Sequence, residues 1–70
     1  MQDLLYLSQN LKNLRKEVGL TQKEVARELG ITYQSYQAYE LGIAIPTLPN
    51  FIKLAKLFEV DYEELLQKNN

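Results

Sequence analysis

The run Gly19-Leu20-Thr21-Gln22-Lys23-Glu24-Val25 constrains this chain more than any other stretch. Thr21 and Glu24 stand at capping-box spacing: the hydroxyl accepts from the backbone three residues on, and the carboxylate reaches back to the cap N–H. Leu20 and Val25 flank the box where a hydrophobic staple would close. Gly19, just upstream, ends the preceding segment, because glycine enters the left-handed C-cap without a Cβ clash. A stop signal and two start signals together predict a helix beginning at Gln22.

The same punctuation recurs along the chain. Leu4, Leu7, Leu11, Leu14 and Val18 fall at steps of three and four, so a first helix is expected over about 4–17, with Asp3 as its cap. Val25, Ala26 and Leu29 line a second helix, 22–29, which Gly30 closes. Thr32 caps a third, 33–41, ended by Gly42. Thr47 caps a fourth, 48–58, whose first turn tolerates Pro49, and Phe51, Ile52, Leu54, Ala55, Leu57 and Phe58 supply its buried side. Asp61 and Glu64 repeat the box logic for a last helix, 62–68, carrying Tyr62, Leu65 and Leu66. No period-two alternation is present. The expected fold is all-α, one domain over 1–70, a compact bundle of five short helices.

Composition narrows the function classes. The 70 residues include no cysteine and no histidine, so disulfides, thiolate metal sites and the usual acid–base and nucleophilic constellations are absent. An enzyme is not expected, nor a cofactor, nor a metal. No window is long or apolar enough to span a membrane, and the N-terminus lacks a signal peptide's charged region. A cytoplasmic protein without membrane contact is expected. The net charge is −1, but its distribution matters more. Residues 1–58 hold seven basic and five acidic side chains, a balance of +2, whereas 59–70 hold four acidic against Lys68, a balance of −3.

Helices two and three meet at a tight turn. Val25-Ala26-x-x-Leu29-Gly30-Ile31 puts a small residue at the closest approach and a glycine at the turn, the form of a helix-turn-helix. From Leu11 to Leu66 the chain resembles the phage repressor and Cro (XRE) family. The resemblance is carried by "LKNLRKEVGLTQKEVARELGIT", then Glu40 and Gly42, then "PTLPNFIKLAKLFEVDYEEL". It implies a lambda-repressor-like DNA-binding domain that regulates transcription, as a repressor, by dimerising on palindromic operators. It also implies a bacterial or phage origin and residence at the nucleoid when bound. This chain departs from the family in having Tyr36 and Tyr39 where aliphatic residues are usual. Another departure is Leu41-Gly42-Ile43-Ala44-Ile45, where a polar residue often precedes the glycine and basic residues follow it.

At 100° per residue, Tyr36 and Tyr39 lie about 60° apart on one side of the third helix, and Gln34 and Ala38 about 40° apart on the other. With the tyrosines inward and their hydroxyls reaching the rim, Tyr33, Gln34, Gln37 and Ala38 are the candidates for base reading in the major groove. Glutamine amides can bond adenine N6 and N7, and an alanine methyl can meet that of thymine. Exposed glutamines are otherwise ordinary solvated surface; their position in the motif is what favours readout. Affinity then falls to phosphate contacts. By position in the family pattern Gln22 is the first side-chain candidate. Thr21, Lys23, Lys12 and Lys53 follow, with backbone N–H groups at the start of the second helix and at Gly42 and Ile43. Arg15 and Glu40 are expected to pair inside the domain, and Ala26, Gly30, Tyr36 and Tyr39 to serve the fold.

The partners expected are double-stranded DNA and a second copy on half-sites one helical turn apart. An alternative is an interaction module that binds a regulatory protein through the apolar loop 41–45, a stretch that suits either a dimer seam or a partner patch. A third possibility folds Ile43 and Ile45 into the core between helices three and four.

Overall fold

The computed structural model describes residues 2–68, with side chains from Tyr6 onward. Five helices follow in order: α1 (Gln2–Val18), α2 (Gln22–Leu29), α3 (Tyr33–Leu41), α4 (Leu48–Phe58) and α5 (Tyr62–Leu66). The described residues contain no strand. Helix α1 begins earlier than its apolar stripe suggests, so Asp3 falls inside it rather than at its cap. The side chains of Asp3 and Leu4 lie outside the described set. Helix α5 stops at Leu66, two residues short of expectation.

The local signals act as chemistry requires. Glu24 N–H donates to Thr21 Oγ1 (3.1 Å) and Thr21 N–H to Glu24 Oε1 (2.8 Å), closing the capping box of α2. Ser35 N–H donates to Thr32 Oγ1 at 3.1 Å and Asn50 N–H to Thr47 Oγ1 at 3.3 Å. Helices α2, α3 and α4 each end on a left-handed residue whose N–H turns back onto the last turn. At α4 that residue is Glu59, the one non-glycine with positive φ among the described residues (56°).

Leu7, Leu11, Val25, Ala26, Leu29, Tyr36, Tyr39, Leu54, Ala55, Phe58 and Leu65 form one buried cluster, flanked by Leu14, Leu20, Ile31, Phe51 and Leu57. Val18, expected on the inner face of α1, is 48% exposed, because the chain leaves that face at the Gly19 cap. Ile52 is only half-buried, and Tyr62 and Leu66 are exposed, so Leu65 alone anchors α5 in the core.

A polar anchor accompanies it. Asn10, buried in α1, directs Nδ2 at the carbonyls of Gln67 (2.8 Å), Leu65 (2.9 Å) and Glu64 (3.3 Å). With two hydrogens for three acceptors, one hydrogen is shared. These carbonyls at the end of α5 are buried or half-buried, so Asn10 replaces the water they would otherwise need. A five-residue helix is too short to persist alone. Its docking on α1 is what holds it.

Among the described residues no helix is long and apolar enough to cross a membrane.

Candidate nucleic-acid interface

Helix α3 divides by face as its period predicts. Tyr36 is wholly buried and Tyr39 nearly so, with their rings edge to face at a centroid distance of 6.1 Å. Gln34 is exposed, while Tyr33, Gln37 and Ala38 are half-exposed. The four candidate reading residues therefore all reach solvent from one helix whose opposite side is fixed.

Three helices meet at Glu40 to fix it. Arg15 on α1 grips its carboxylate with two donors, Nε to Oε2 at 2.6 Å and Nη2 to Oε1 at 3.1 Å. The third guanidinium nitrogen, Nη1, donates to the Leu20 carbonyl at 2.9 Å, tying in the α1–α2 loop. Gln22, the first residue of α2, donates Nε2 to Glu40 Oε1 at 2.9 Å. Burial pushes the Glu40 carboxyl up, but the bond from Arg15, the adjacent Tyr36 hydroxyl, the bond from Gln22 and the Arg15 charge together prevail and hold it below its ordinary value. The same bond to Glu40 raises the Arg15 pKa further above its already high value.

One of the two tyrosine hydroxyls differs from expectation. Tyr39 OH accepts from Asn50 Nδ2 on α4 at 3.1 Å. Tyr36 OH does not reach the rim; it is buried beside Arg15 and Glu40 with no partner at hydrogen-bonding geometry. Tyrosine is longer than the aliphatic residue usual at this position, so its end stops under the ion pair rather than passing it. Burial, reinforced by the Glu40 carboxylate, pushes the titration of this hydroxyl well above that of an ordinary tyrosine.

A second group assembles on the outside. Lys23 Nζ stands 5.5 Å from the centroid of the Tyr33 ring, a cation–π contact between the starts of α2 and α3. Gln37 Nε2 lies 3.4 Å from Tyr33 OH, a long bond across one helical turn. Arg15, Leu20, Thr21, Gln22, Lys23 and Tyr33 line a shallow depression here. The i, i+4 spacing of Tyr33 and Gln37 lets the two side chains meet on one helix face.

The remaining phosphate candidates scatter. The N–H groups of Gly42 and Ile43 are not free: they donate to Tyr39 O (3.3 Å) and Ala38 O (3.1 Å), completing the C-cap of α3. Thr21 is exposed, but both its hydroxyl and its N–H serve the capping box. Lys53 Nζ is drawn to the Leu29 carbonyl (3.4 Å), at the far end of α2 from Gln22. That end is about 12 Å from the start for an eight-residue helix. Lys12 is exposed on α1. Gln22 joins the structural set through Glu40 as well as standing at the α2 terminus. Ala26 is buried at the α2–α3 crossing, and Gly30 takes φ 72° at the turn.

A helix-turn-helix family model matches residues 11–65. This chain belongs to the XRE-type helix-turn-helix family. Among its helix-turn-helix relatives is the cryptic phage CTXphi transcriptional repressor RstR of Vibrio cholerae, 39% identical over 59 residues, or 84% of this chain and 53% of that protein. Another is YqaE of Bacillus subtilis, described as an uncharacterized HTH-type transcriptional regulator, 42% identical over 86% of this chain and 52% of its own. The chain thus spans about half the length of these helix-turn-helix relatives. In structure it is similar to the SOS-response transcriptional repressor LexA of Eubacterium rectale (TM-score 0.91, 26% identity, all of this chain and 74% of that one). It is also similar to the restriction-modification controller protein C.AhdI of Aeromonas hydrophila (TM-score 0.82, 31% identity, 93% and 98% of the two chains).

Proposed function

We propose that this chain is the sequence-specific DNA-binding domain of a transcriptional regulator, acting as a repressor in the cytoplasm of a bacterial or phage-infected cell. The carrying observation is the division of α3. Buried Tyr36 and Tyr39 and the Arg15–Glu40 pair fix one side, and the other turns Tyr33, Gln34, Gln37 and Ala38 outward. Side chains on a rigid helix keep the geometry that bidentate base contacts demand.

In this reading α3 lies in the major groove and Gln34 reads adenine. Gln22, Lys23 and the first N–H groups of α2 hold a phosphate beside it, with Lys12 a more distant contact. Thr21 shapes that terminus rather than donating to it. Gly42 and Ile43 are left out because their N–H groups close the α3 cap, and Lys53 because its ammonium is drawn to the far end of α2. Two copies occupy symmetric half-sites. The role is binding rather than catalysis.

Selection from a random duplex library tests the proposal, followed by a salt titration on the enriched duplex. The expected result is a symmetric site and an affinity falling linearly in log salt, by about 0.9 log per phosphate neutralised. Failure of any duplex to enrich at low salt would refute the reading.

A further inference from the structure

The two ends of α3 are unlike. Its last turn runs into the apolar loop, where Ala44 and Pro46 turn inward. Ile43 and Ile45 are 76% and 63% exposed, which overturns the expectation that they fold into the core. The first turn of α3 instead carries a polar group that reaches back to α2. Long side chains in a helix lean toward its N-terminus, over the preceding turn. Tyr33 is the first residue of α3 and has no preceding turn to lie on. Its ring meets Lys23 of α2, whose Nζ stands 5.5 Å from the centroid, inside the roughly 6 Å reach of a cation–π contact. Among the described residues Lys23 has no ion pair, so the ring is its partner.

We infer that Lys23 is a positioning residue for base reading: through the Tyr33 ring it sets the Gln37 amide, which then selects adenine. The inference deepens the DNA-binding reading above and rests on it.

The hydrogen-bond chemistry runs outward from the ring. Gln37 Nε2 donates to Tyr33 OH at 3.4 Å. That bond uses one of the amide's two hydrogens. One N–H and the carbonyl oxygen remain, the pair that adenine N7 and the adenine N6 amino group require. Guanine presents two acceptors, and thymine an acceptor and a methyl, so neither matches that pair. An unanchored amide turns over, exchanging donor and acceptor, and its preference among bases is diluted. The hydroxyl that accepts from Gln37 still has its own hydrogen to donate toward the duplex, which keeps its lone pair on the Gln37 side. Gln34 has no such anchor, so only the position read by Gln37 should depend on Lys23. The ammonium retains N–H donors for the phosphate assigned to it above, and the two roles control different quantities. A phosphate contact changes affinity for every sequence alike, whereas an anchored amide changes the ratio between sequences.

The test measures relative affinities for the duplex enriched from the random library and for duplexes changed at each single position of the half-site. Gln37→Ala marks the position that Gln37 reads, where the preference should be for adenine. Lys23→Met keeps the aliphatic stem and loses the charge. Adenine preference at that position should fall by roughly two- to fivefold, the worth of an exposed cation–π contact, while the profile elsewhere keeps its shape. Lys23→Arg, whose guanidinium also stacks on aromatic faces, should restore it. Tyr33→Phe keeps the ring and removes the acceptor, and should lose the same preference. In the Gln37→Ala background, Lys23→Met should leave the profile unchanged, since the amide it acts through is gone. Urea midpoints close to the parent's establish that the variants are folded. A uniform loss in Lys23→Met with an unchanged profile makes Lys23 a phosphate contact only and overturns the inference while leaving DNA binding intact. A base other than adenine at the Gln37 position, or no position altered by Gln37→Ala, overturns it as well. If no duplex enriches, the DNA reading itself falls, and the inference with it.

Discussion

Arg15 holds Glu40 side-on across 25 positions of sequence, through two hydrogen bonds of 2.6 and 3.1 Å. The carboxylate side chain is 3% exposed and the guanidinium 13%, so neither is free to be solvated if the other is removed. Arg15→Ala should therefore destabilise the fold by about 3 kcal/mol, the lower part of the range for a broken buried pair. Arg15→Lys should recover little of it, since a point ammonium cannot span both carboxylate oxygens and the Leu20 carbonyl. Urea midpoints of the two variants check this.

The pair also sets an acid limit. Because the folded Glu40 pKa is depressed, its contribution is complete above the unfolded value of about 4.3 and is lost as pH falls through the lower folded value. Stability followed from pH 7 to 3 should decline, and Glu40→Gln should flatten the decline. Some slope should remain, because backbone and side-chain bonds from Thr21 also hold the Glu24 carboxyl below its ordinary value.

Tyr36 predicts an alkaline limit. Its folded pKa is raised, so the stability tied to the neutral hydroxyl is present below the unfolded value of about 10 and disappears as pH rises beyond it. Tyr36→Phe should cost less than about 1 kcal/mol at neutral pH, since no formed hydrogen bond is lost. At pH 11 it should unfold at a higher urea concentration than the parent. A larger loss in the variant at both pH values would mean that the hydroxyl is bonded after all.

Asn10→Ala should cost about 1–3 kcal/mol, the usual effect of stranding buried acceptors. Hydrogen exchange would locate the damage: protection should fall first in α5, before it falls in α2 and α3.

Glu59 predicts a gain. At φ 56° and ψ 48° it pays for a left-handed cap that glycine adopts without strain. Glu59→Gly should raise stability by about 0.5–1 kcal/mol net of glycine's greater unfolded entropy, measurable as a higher melting temperature.

Gln34→Ala concerns recognition alone. It is exposed and has no bond within the protein to lose, so stability should hold while preference relaxes at one or two positions of the site, by about 1–3 kcal/mol. Competition between duplexes changed at single positions distinguishes this from a uniform loss, which would mark a backbone contact.

The caps at Thr21, Thr32 and Thr47 were legible because each depends on residues within four places of itself. The inward turn of Tyr36 and Tyr39 followed from helical period, and the partnership of Arg15 with Glu40 from the family pattern. Other features needed the tertiary structure. Asn10 reads as a polar interruption in an apolar stripe until the α5 carbonyls, 57 residues away at the farthest, are brought to it. Ile43 and Ile45 read as core candidates by composition, and only the packing of Ala44 and Pro46 decides which way the loop turns. The N–H groups of Gly42 and Ile43 look available in a sequence, but the helix they close has prior claim on them.

The residues that fasten α3, namely Arg15, Gln22, Tyr36, Tyr39 and Glu40, share no member with the outward set Tyr33, Gln34, Gln37 and Ala38. The protein can thus be reprogrammed. Exchanging those four side chains should move the domain to a new target sequence while its melting behaviour stays nearly constant, which makes it a scaffold on which recognition can drift or be redesigned independently of folding.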